Sequence, residues 1–156
     1  MLEAGDKLPA FTLKDQDGKS LRSADLKGKW TVLYFYPNDD TPGCTREACA
    51  FRDEYSALKK AGAAVYGISA NTAESHQRFM RKYRLNFPLL VDEGHEVATA
   101  FGAWGPKVLY GRRFMGMIRS TFLVDPKGKI ARVWPKVKVD GHVEQVAQAL
   151  AEAQAA

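Results

Sequence analysis

The fold of this chain is decided by residues 30–49, which read WTVLYFYPNDDTPGCTREAC. The first seven of these residues are almost all apolar, which is typical of a β-strand that is covered on both faces. Pro37 and the turn-forming residues after it end the strand, and a helical pattern follows. The segment therefore predicts a buried strand, a short loop and a helix, with Cys44 at the start of the helix and Cys49 inside it.

Outside this segment, strands and helices alternate along the chain. Apolar residues at three- and four-residue steps predict a helix over residues 45–61, and a buried strand follows over residues 63–69. Asn71 or Thr72 can cap the next helix, which continues to about residue 83. Because two such strands are joined through a helix, we expect them to be parallel neighbours in one sheet.

Shorter elements surround this unit. The sequence predicts, in chain order, an amino-terminal hairpin (11–22), a strand (88–91), a short helix (93–101), two hairpin strands (116–124 and 129–134) and a closing helix (142–153). We therefore expect one three-layer α/β domain over residues 1–156, with a central mixed sheet flanked by helices.

Composition sets further limits on function. A chain of 156 residues with 46% hydrophobic residues is long enough to build one hydrophobic core. The net charge of +5 does not indicate a nucleic-acid partner, because basic residues are scattered among acidic ones, as in Arg52-Asp53-Glu54. The densest basic stretch, residues 107–119, is interpreted as a solvated loop and strand edge.

The amino terminus and the apolar runs bear on location. The first residues lack a basic region followed by a long apolar run, and no stretch approaches the roughly 18 apolar residues of a membrane span. We therefore expect a cytoplasmic protein without a membrane partner. In a reducing cytosol, a cysteine pair is more often redox-active or metal-binding than a permanent disulfide.

The position of Cys44 favours a reactive thiolate. If the helix starts near residues 41–43, Cys44 lies in its first turn, where unpaired backbone N–H groups and the helix dipole favour negative charge. Pro42 suits a first helical turn, and Gly43 lets the backbone approach a bound group closely. The alternative is a buried core cysteine. Thr41 could aim its hydroxyl at the sulfur or at a small polar ligand, or it could simply cap the helix.

Three other functions fit the sequence less well. A thiol-disulfide oxidoreductase would have Cys-x-x-Cys spacing, which is absent here. A metal site would need clustered ligands, whereas the three histidines are dispersed at positions 76, 95 and 142. A non-enzymatic holdase remains open, although it would have no use for this arrangement around Cys44.

The motifs resemble those of a known family. Pro37, Thr41 and Cys44 match the Pro-x-x-x-Thr-x-x-Cys motif of peroxiredoxins, and Thr-Pro-Gly-Cys-Thr-x-Glu-Ala-Cys is similar to the bacterioferritin comigratory protein or PrxQ subgroup. The similarity spans nearly the whole chain and includes the run Arg119-Ser120-Thr121-Phe122. The resemblance implies a thioredoxin-like fold with an amino-terminal β-hairpin extension, and thiol-dependent reduction of hydrogen peroxide and organic hydroperoxides.

The resemblance also implies residue roles. Cys44 would be the peroxidatic cysteine and Cys49 the resolving one, with Pro37, Thr41 and Arg119 supporting them. Thr41, Gly43 and Arg119 would bind the peroxide, and neither a cofactor nor a metal is required. Thioredoxin or a similar dithiol would recycle the enzyme. Because both thiols are in one chain, we expect a monomer.

The spacing of the two cysteines requires a conformational change. Alpha carbons five residues apart in a helix are separated by about 8.6 Å, and their side chains are rotated by about 140°. A disulfide usually joins alpha carbons about 4.4 to 6.8 Å apart. We therefore expect residues 44–51 to unwind after oxidation, so that the protein has a folded state and a locally unfolded disulfide state.

Overall fold

The computed structural model describes all residues from 1 to 156. The strands are β1 Thr12–Asp15, β2 Ser20–Arg22, β3 Trp30–Phe35, β4 Ala63–Ser69, β5 Leu89–Val91, β6 Trp104–Leu109, β7 Arg112–Met117, β8 Ser120–Val124 and β9 Ile130–Trp134. The helices are α1 Pro42–Lys60, α2 Ala73–Tyr83, α3 Glu96–Phe101 and α4 His142–Ala155, with a 3-10 helix at Ser23–Leu26.

Seven strands form one mixed sheet in the order β2-β1-β5-β4-β3-β8-β9. Strands β3, β4 and β5 run parallel, and the remaining pairs are antiparallel. The predicted central mixed sheet is confirmed, and so is the parallel pairing of β3 with β4. The amino-terminal hairpin pairs through β1 with β5 and so extends the sheet at one edge.

Strand β3 is apolar along its length because both of its faces are buried. Its side chains alternate between two cores, as period-two geometry requires. Val32 and Tyr34 pack in one cluster with apolar residues of α1, α2 and α4, whereas Leu33 and Phe35 pack in the other with α3 and the 3-10 helix. Tyr34 stacks on Phe51 of α1 with ring centroids 4.6 Å apart. Helices therefore cover the sheet on both faces.

The predicted strand over residues 116–124 is wrong in one respect, because the structure breaks it into two strands of different sheets. Strand β7 pairs with β6 in a separate two-stranded hairpin, and β8 belongs to the main sheet. Ile118 and Arg119 lie between the two strands, and their backbone groups form hydrogen bonds with residues outside both sheets. The N–H of Ile118 donates to Ala103 O, and the N–H of Val137 donates to Arg119 O. The apolar pattern of the sequence does not reveal this break.

Helix boundaries differ from the prediction where local side chains act as caps. Helix α3 begins at Glu96 rather than near residue 93, because the Asp92 carboxylate accepts hydrogen bonds from the N–H groups of Val97 and Ala98. For α2, the open choice of cap is resolved in favour of Thr72, whose hydroxyl accepts from Ser75 N–H.

Candidate active site

Cys44 lies in the first turn of α1 and is buried, with 1% of its surface exposed. Thr41 occupies the cap position, and Pro42 is the first helical residue, where its missing N–H has no consequence. The backbone N–H groups of Gly43 and Cys44 have no acceptor in the protein. These free donors and the helix dipole favour an anion at the sulfur or beside it.

Arg119 reaches the sulfur from the start of β8. Its Nη2 donates to Cys44 Sγ at 3.3 Å, and its Nη1 donates to Glu47 Oε1 at 2.8 Å. Only 19% of the Arg119 side chain is exposed. Burial opposes the charge of Arg119, but Glu47 and Cys44 outweigh it and raise the pKa of the guanidinium. The guanidinium therefore bridges the thiol and a buried carboxylate with its planar fork of donors.

Gly43 is required by this approach of Arg119. A Cβ atom at position 43 would lie 3.1 Å from Arg119 Nη2, closer than most side-chain contacts. The sequence predicts that Gly43 permits close approach to the backbone, and the group that approaches is Arg119. A side chain at position 43 would require the guanidinium to shift by a few tenths of an ångström.

Glu47 is a charged residue that the sequence does not assign to the site. It is fully buried, and its Oε2 atom has no hydrogen-bond partner. Burial raises the pKa of Glu47 to about 7, although the Arg119 charge acts in the opposite direction. The sequence signal is its position three residues after Cys44, on the same side of the helix. Glu47 orients Arg119 but holds it with one oxygen only.

Thr41 and Pro37 lie on the loop between β3 and α1, shortly before Cys44 in the chain. The Thr41 hydroxyl makes no capping bond and donates instead to Asn38 O at 2.9 Å. Its oxygen lone pairs stay free to accept a proton donor such as a peroxide O–H. Pro37 and Arg119 both line a cleft of about 610 Å³, together with Met1, Pro106, Lys107, Val108, Ile118, Pro135, Lys136 and Val137.

A buried network anchors the same loop to the core. Asp39 Oδ2 lies 2.7 Å from His76 Nδ1 and accepts from Ser75 Oγ at 2.8 Å, while Asp39 Oδ1 accepts from the Tyr36 hydroxyl at 2.6 Å. His76 Nε2 lies 2.9 Å from Leu90 O. The His76 side chain is fully buried and that of Asp39 almost so. The loop that carries Thr41 is thereby tied to α2 and β5.

Both ring nitrogens of His76 lie within hydrogen-bond distance of an oxygen atom, Nδ1 of the Asp39 carboxylate and Nε2 of the Leu90 carbonyl. Nothing in the sequence links Asp39 to His76. The only signal is a polar residue on the apolar face of α2, three residues before Phe79.

The structure does not bring Cys49 into contact with this site. Helix α1 runs unbroken from Pro42 to Lys60, both cysteines are free, and Cys49 is half-buried. The two cysteines are five positions apart in the helix, too far for a disulfide while the helix is intact. Arg119 joins the other predicted residues: it lines one cleft with Pro37, donates to Cys44 Sγ and lies against Gly43, while Thr41 occupies the cap position of the same helix.

No group of three or more His, Cys, Asp or Glu side chains is arranged to hold a metal ion. No helix combines the length and the apolar character needed to cross a membrane.

Comparison with known proteins gives a consistent match. The AhpC/TSA family matches residues 4–133. The chain is 52% identical over 145 residues to a putative peroxiredoxin Bcp of Coxiella burnetii, covering 93% of this chain and 96% of that protein. It is 45% identical over 149 residues to peroxiredoxin Bcp of Bacillus subtilis, covering 96% and 95%.

Solved structures of peroxiredoxins superpose on this chain. A cysteine mutant of Xylella fastidiosa PrxQ superposes with a TM-score of 0.93 at 33% identity, covering 100% of this chain and 99% of that one. The bacterioferritin comigratory protein of Xanthomonas campestris, studied for its alkyl peroxide reduction activity, superposes with a TM-score of 0.89 at 36% identity, covering 97% and 100%. Both likenesses extend over essentially the whole chain.

Proposed function

Because the chain belongs to the AhpC/TSA family, as a thiol-dependent peroxidase of the Bcp and PrxQ type, we propose roles for its individual residues in peroxide reduction. Cys44 is the peroxidatic cysteine, and Cys49 is the resolving cysteine. The peroxide is bound and oriented by Thr41, Gly43 and Arg119. The observation that carries this proposal is the Arg119 guanidinium, which donates to Cys44 Sγ beside two unpaired backbone N–H groups.

In the first step, the Cys44 thiolate attacks one peroxide oxygen. An S–O bond forms, the O–O bond breaks, and the other oxygen leaves as hydroxide or alkoxide, which takes a proton to become water or alcohol. Cys44 is thereby oxidised to a sulfenic acid. Negative charge moves from sulfur to oxygen during this step, so donors aimed along that path stabilise the transition state more than the reactants.

Each supporting group has a distinct task in this step. Arg119 donates to sulfur and oxygen together, and its charge favours the thiolate. The Gly43 and Cys44 N–H groups receive the remaining negative charge, and the Thr41 oxygen accepts the peroxide O–H and so fixes its orientation. Pro37 shields the sulfur from bulk water.

In the second step, the Cys49 thiol attacks the sulfenic sulfur, and water leaves as the disulfide forms. The first turns of α1 must unwind for the two sulfurs to meet. Unwinding breaks the Glu47–Arg119 pair and the exposed Arg46–Asp140 pair. The fully buried Phe51, stacked on Tyr34, marks the point at which the helix stays folded.

The cycle closes when an external dithiol reduces the disulfide, and thioredoxin or a similar protein is the reductant we propose. Because both reacting thiols belong to one chain, a monomer suffices for turnover. We propose that the protein works in the cytoplasm, where the reducing thiols that recycle it are maintained.

The decisive experiment compares peroxide consumption by wild type, Cys44→Ser and Cys49→Ser with thioredoxin as reductant. Cys44→Ser abolishes turnover, because it removes the attacking thiolate. Cys49→Ser retains one rapid oxidation per protein, followed by tryptophan fluorescence in a stopped-flow instrument, but loses recycling by thioredoxin. Equal loss of the first oxidation in both variants would contradict the assigned roles.

A further inference from the structure

The exposed apolar side chains of this protein are concentrated in one place. We call the hairpin of β6 and β7, residues 104–117, the apolar hairpin. Outside it, Met1 is the one large apolar side chain that is exposed. The exposed large apolar residues of the hairpin are Val108, Leu109, Tyr110, Phe114 and Met115. The register places Val108 and Met115 on one face of the hairpin and Leu109 and Phe114 on the other, so apolar side chains are exposed on both faces. Exposed apolar side chains concentrated in this way are typical of a surface that binds another molecule.

The tip of the apolar hairpin carries an aromatic residue in an unfavourable backbone conformation. Tyr110 and Gly111 have φ angles of 51° and 76°, as a two-residue type I′ turn requires. Glycine, asparagine and aspartate suit such positions, whereas a bulky side chain is strained there. The Tyr110 side chain is 96% exposed, so packing within the chain does not offset the strain. Contact with a partner would explain why an aromatic ring stands there.

The apolar hairpin is also positively charged. No acidic residue occurs between Glu96 and Asp125, while the hairpin contains Lys107, Arg112 and Arg113. Neither arginine takes part in an ion pair. The surface is therefore complementary to a partner with an apolar contact area bordered by carboxylates.

The apolar hairpin is continuous with the catalytic cleft. Pro106, Lys107 and Val108 of β6 line the cleft that also contains Pro37 and Arg119. A molecule seated on the hairpin would therefore lie beside a cleft whose wall includes Arg119, the residue that donates to Cys44 Sγ. This position favours a partner that takes part in the reaction over a partner that only changes the oligomeric state or the location of the protein.

We infer that the apolar hairpin is the docking surface for the protein dithiol that reduces the Cys44–Cys49 disulfide. The inference rests on the proposed function, which requires such a reductant. The partner is a thioredoxin-type protein whose reactive thiol is surrounded by apolar residues and flanked by acidic ones. Docking holds that thiol at the mouth of the cleft and converts its attack on the disulfide into a step within one complex.

The reaction that docking serves is a two-electron exchange. A thiolate of the partner attacks one sulfur of the Cys44–Cys49 disulfide, so the S–S bond breaks and a mixed disulfide forms. The partner's second thiolate attacks its own first sulfur and releases the enzyme thiolate. The enzyme gains two electrons and two protons, and the partner leaves as a disulfide.

The test compares reduction by thioredoxin with reduction by dithiothreitol, which needs no docking surface. Tyr110→Gly removes the ring and relieves the strained φ, so it retains or increases stability. Arg112→Glu with Arg113→Glu reverses the charge. The matched control is Arg78→Glu with Arg81→Glu, the same charge reversal at two exposed arginines of α2 that form no ion pair.

We expect both hairpin variants to lose at least tenfold in kcat/KM for thioredoxin, while the first oxidation of Cys44 and the rate with dithiothreitol stay within twofold of wild type. The α2 control changes none of these rates by more than twofold. Unchanged thioredoxin kinetics in the hairpin variants, or equal slowing with both reductants, would overturn the inference and leave the proposed function intact.

Three further outcomes are decisive. If wild type turns over with dithiothreitol but not with thioredoxin, the proposed reductant and the docking role fail together. If sedimentation shows a wild-type dimer that Tyr110→Gly dissociates, the hairpin binds a second copy of this chain instead. If wild type, but not the hairpin variants, cosediments with phosphatidylglycerol vesicles, the surface binds lipid, and the inference is again overturned.

Discussion

Two buried polar pairs lie at the junction between β3 and α1, and they are built differently. Within the junction, the Asp39 carboxylate accepts hydrogen bonds from three side chains, and the His76 ring uses both of its nitrogens. After the junction, Glu47 accepts from Arg119 through one oxygen, and the other oxygen is buried without a partner.

The difference matches what each side of the junction has to do. A fully satisfied buried network is rigid, whereas a partly satisfied one is costly and easily given up. In the proposed mechanism the loop that carries Pro37 and Thr41 keeps its shape, and its anchor is complete. The first turns of α1 unwind in that mechanism before the disulfide forms, and the pair that breaks there is incomplete. We therefore expect the first pair to govern stability and the second to govern chemistry.

The largest effect is expected from breaking the satisfied pair. Asp39→Ala leaves the His76 ring and two hydroxyls buried without their acceptor, and removal of one partner from a buried pair costs about 3–5 kcal/mol of unfolding free energy. Glu47→Gln keeps a carbonyl acceptor for Arg119 and should cost no more than about 1–2 kcal/mol. Urea denaturation of the reduced proteins measures both values, and a larger loss for Glu47→Gln would reverse the comparison.

The next effect concerns the rate of chemistry at the second pair. Arg119→Lys retains the charge but loses the fork that bridges Cys44 and Glu47. Removal of a fixed donor to a developing charge commonly costs about 100-fold in rate, and the retained charge lowers this to roughly 10- to 100-fold. Single-turnover oxidation by hydrogen peroxide measures it, with Arg46→Lys on the exposed side of α1 as control. An unchanged rate would remove Arg119 from the site.

The titration of Glu47 gives a pH-dependent effect. Its carboxyl group has a usual pKa of 4.5 and a folded-state pKa of about 7, so between these values the folded protein holds a proton that the unfolded chain has lost. Stability from this group therefore falls as the pH rises from 4.5 to 7. His142 acts in the opposite direction, because burial and then the Arg119 charge lower its pKa from 6.5 to about 4.

The pH dependences of stability that come from Glu47 and from His142 can be separated with two variants. Between pH 4.5 and 6.5 the contributions of Glu47 and His142 offset each other in wild type. In Glu47→Gln the unfolding free energy should rise with pH over this window by up to about 1.4 kcal/mol per unit, and in His142→Asn it should fall by a similar slope. Denaturation at a series of pH values measures this. Parallel curves for the two variants would contradict the titration of Glu47 near neutrality.

The smallest effect is expected at the exposed Arg46–Asp140 pair. It joins Arg46, in the segment of α1 that unwinds in the proposed mechanism, with Asp140, which lies just before α4. Both side chains are mostly in solvent. Exposed pairs contribute little, so Arg46→Ala should change the unfolding free energy by less than about 0.5 kcal/mol. Urea denaturation measures the change against wild type. A loss above about 1 kcal/mol would mean that this pair, too, resists unwinding.

Much of the fold was predictable because its signals are local. The continuous apolar run of β3, the helical spacing of α1 and the turn residues between β8 and β9 each act over a few positions, and the structure confirms the sheet they predict. The apolar hairpin was not predicted, because local signals fail there. Its strands carry exposed apolar residues, so the sequence pattern does not show which side chains are buried.

The sequence by itself determined the junction at which Cys44 lies, because the end of a strand, a proline and the free N–H groups of a first helical turn are consequences of neighbouring residues. Only the tertiary structure decided which polar side chains meet there. Arg119 is 75 positions from Cys44, and His76 is 37 positions from Asp39. Such separations along the chain do not reveal how close two side chains lie in space until the strands have paired. The packing of the sheet therefore decided that one polar pair holds the loop and the other reaches the sulfur.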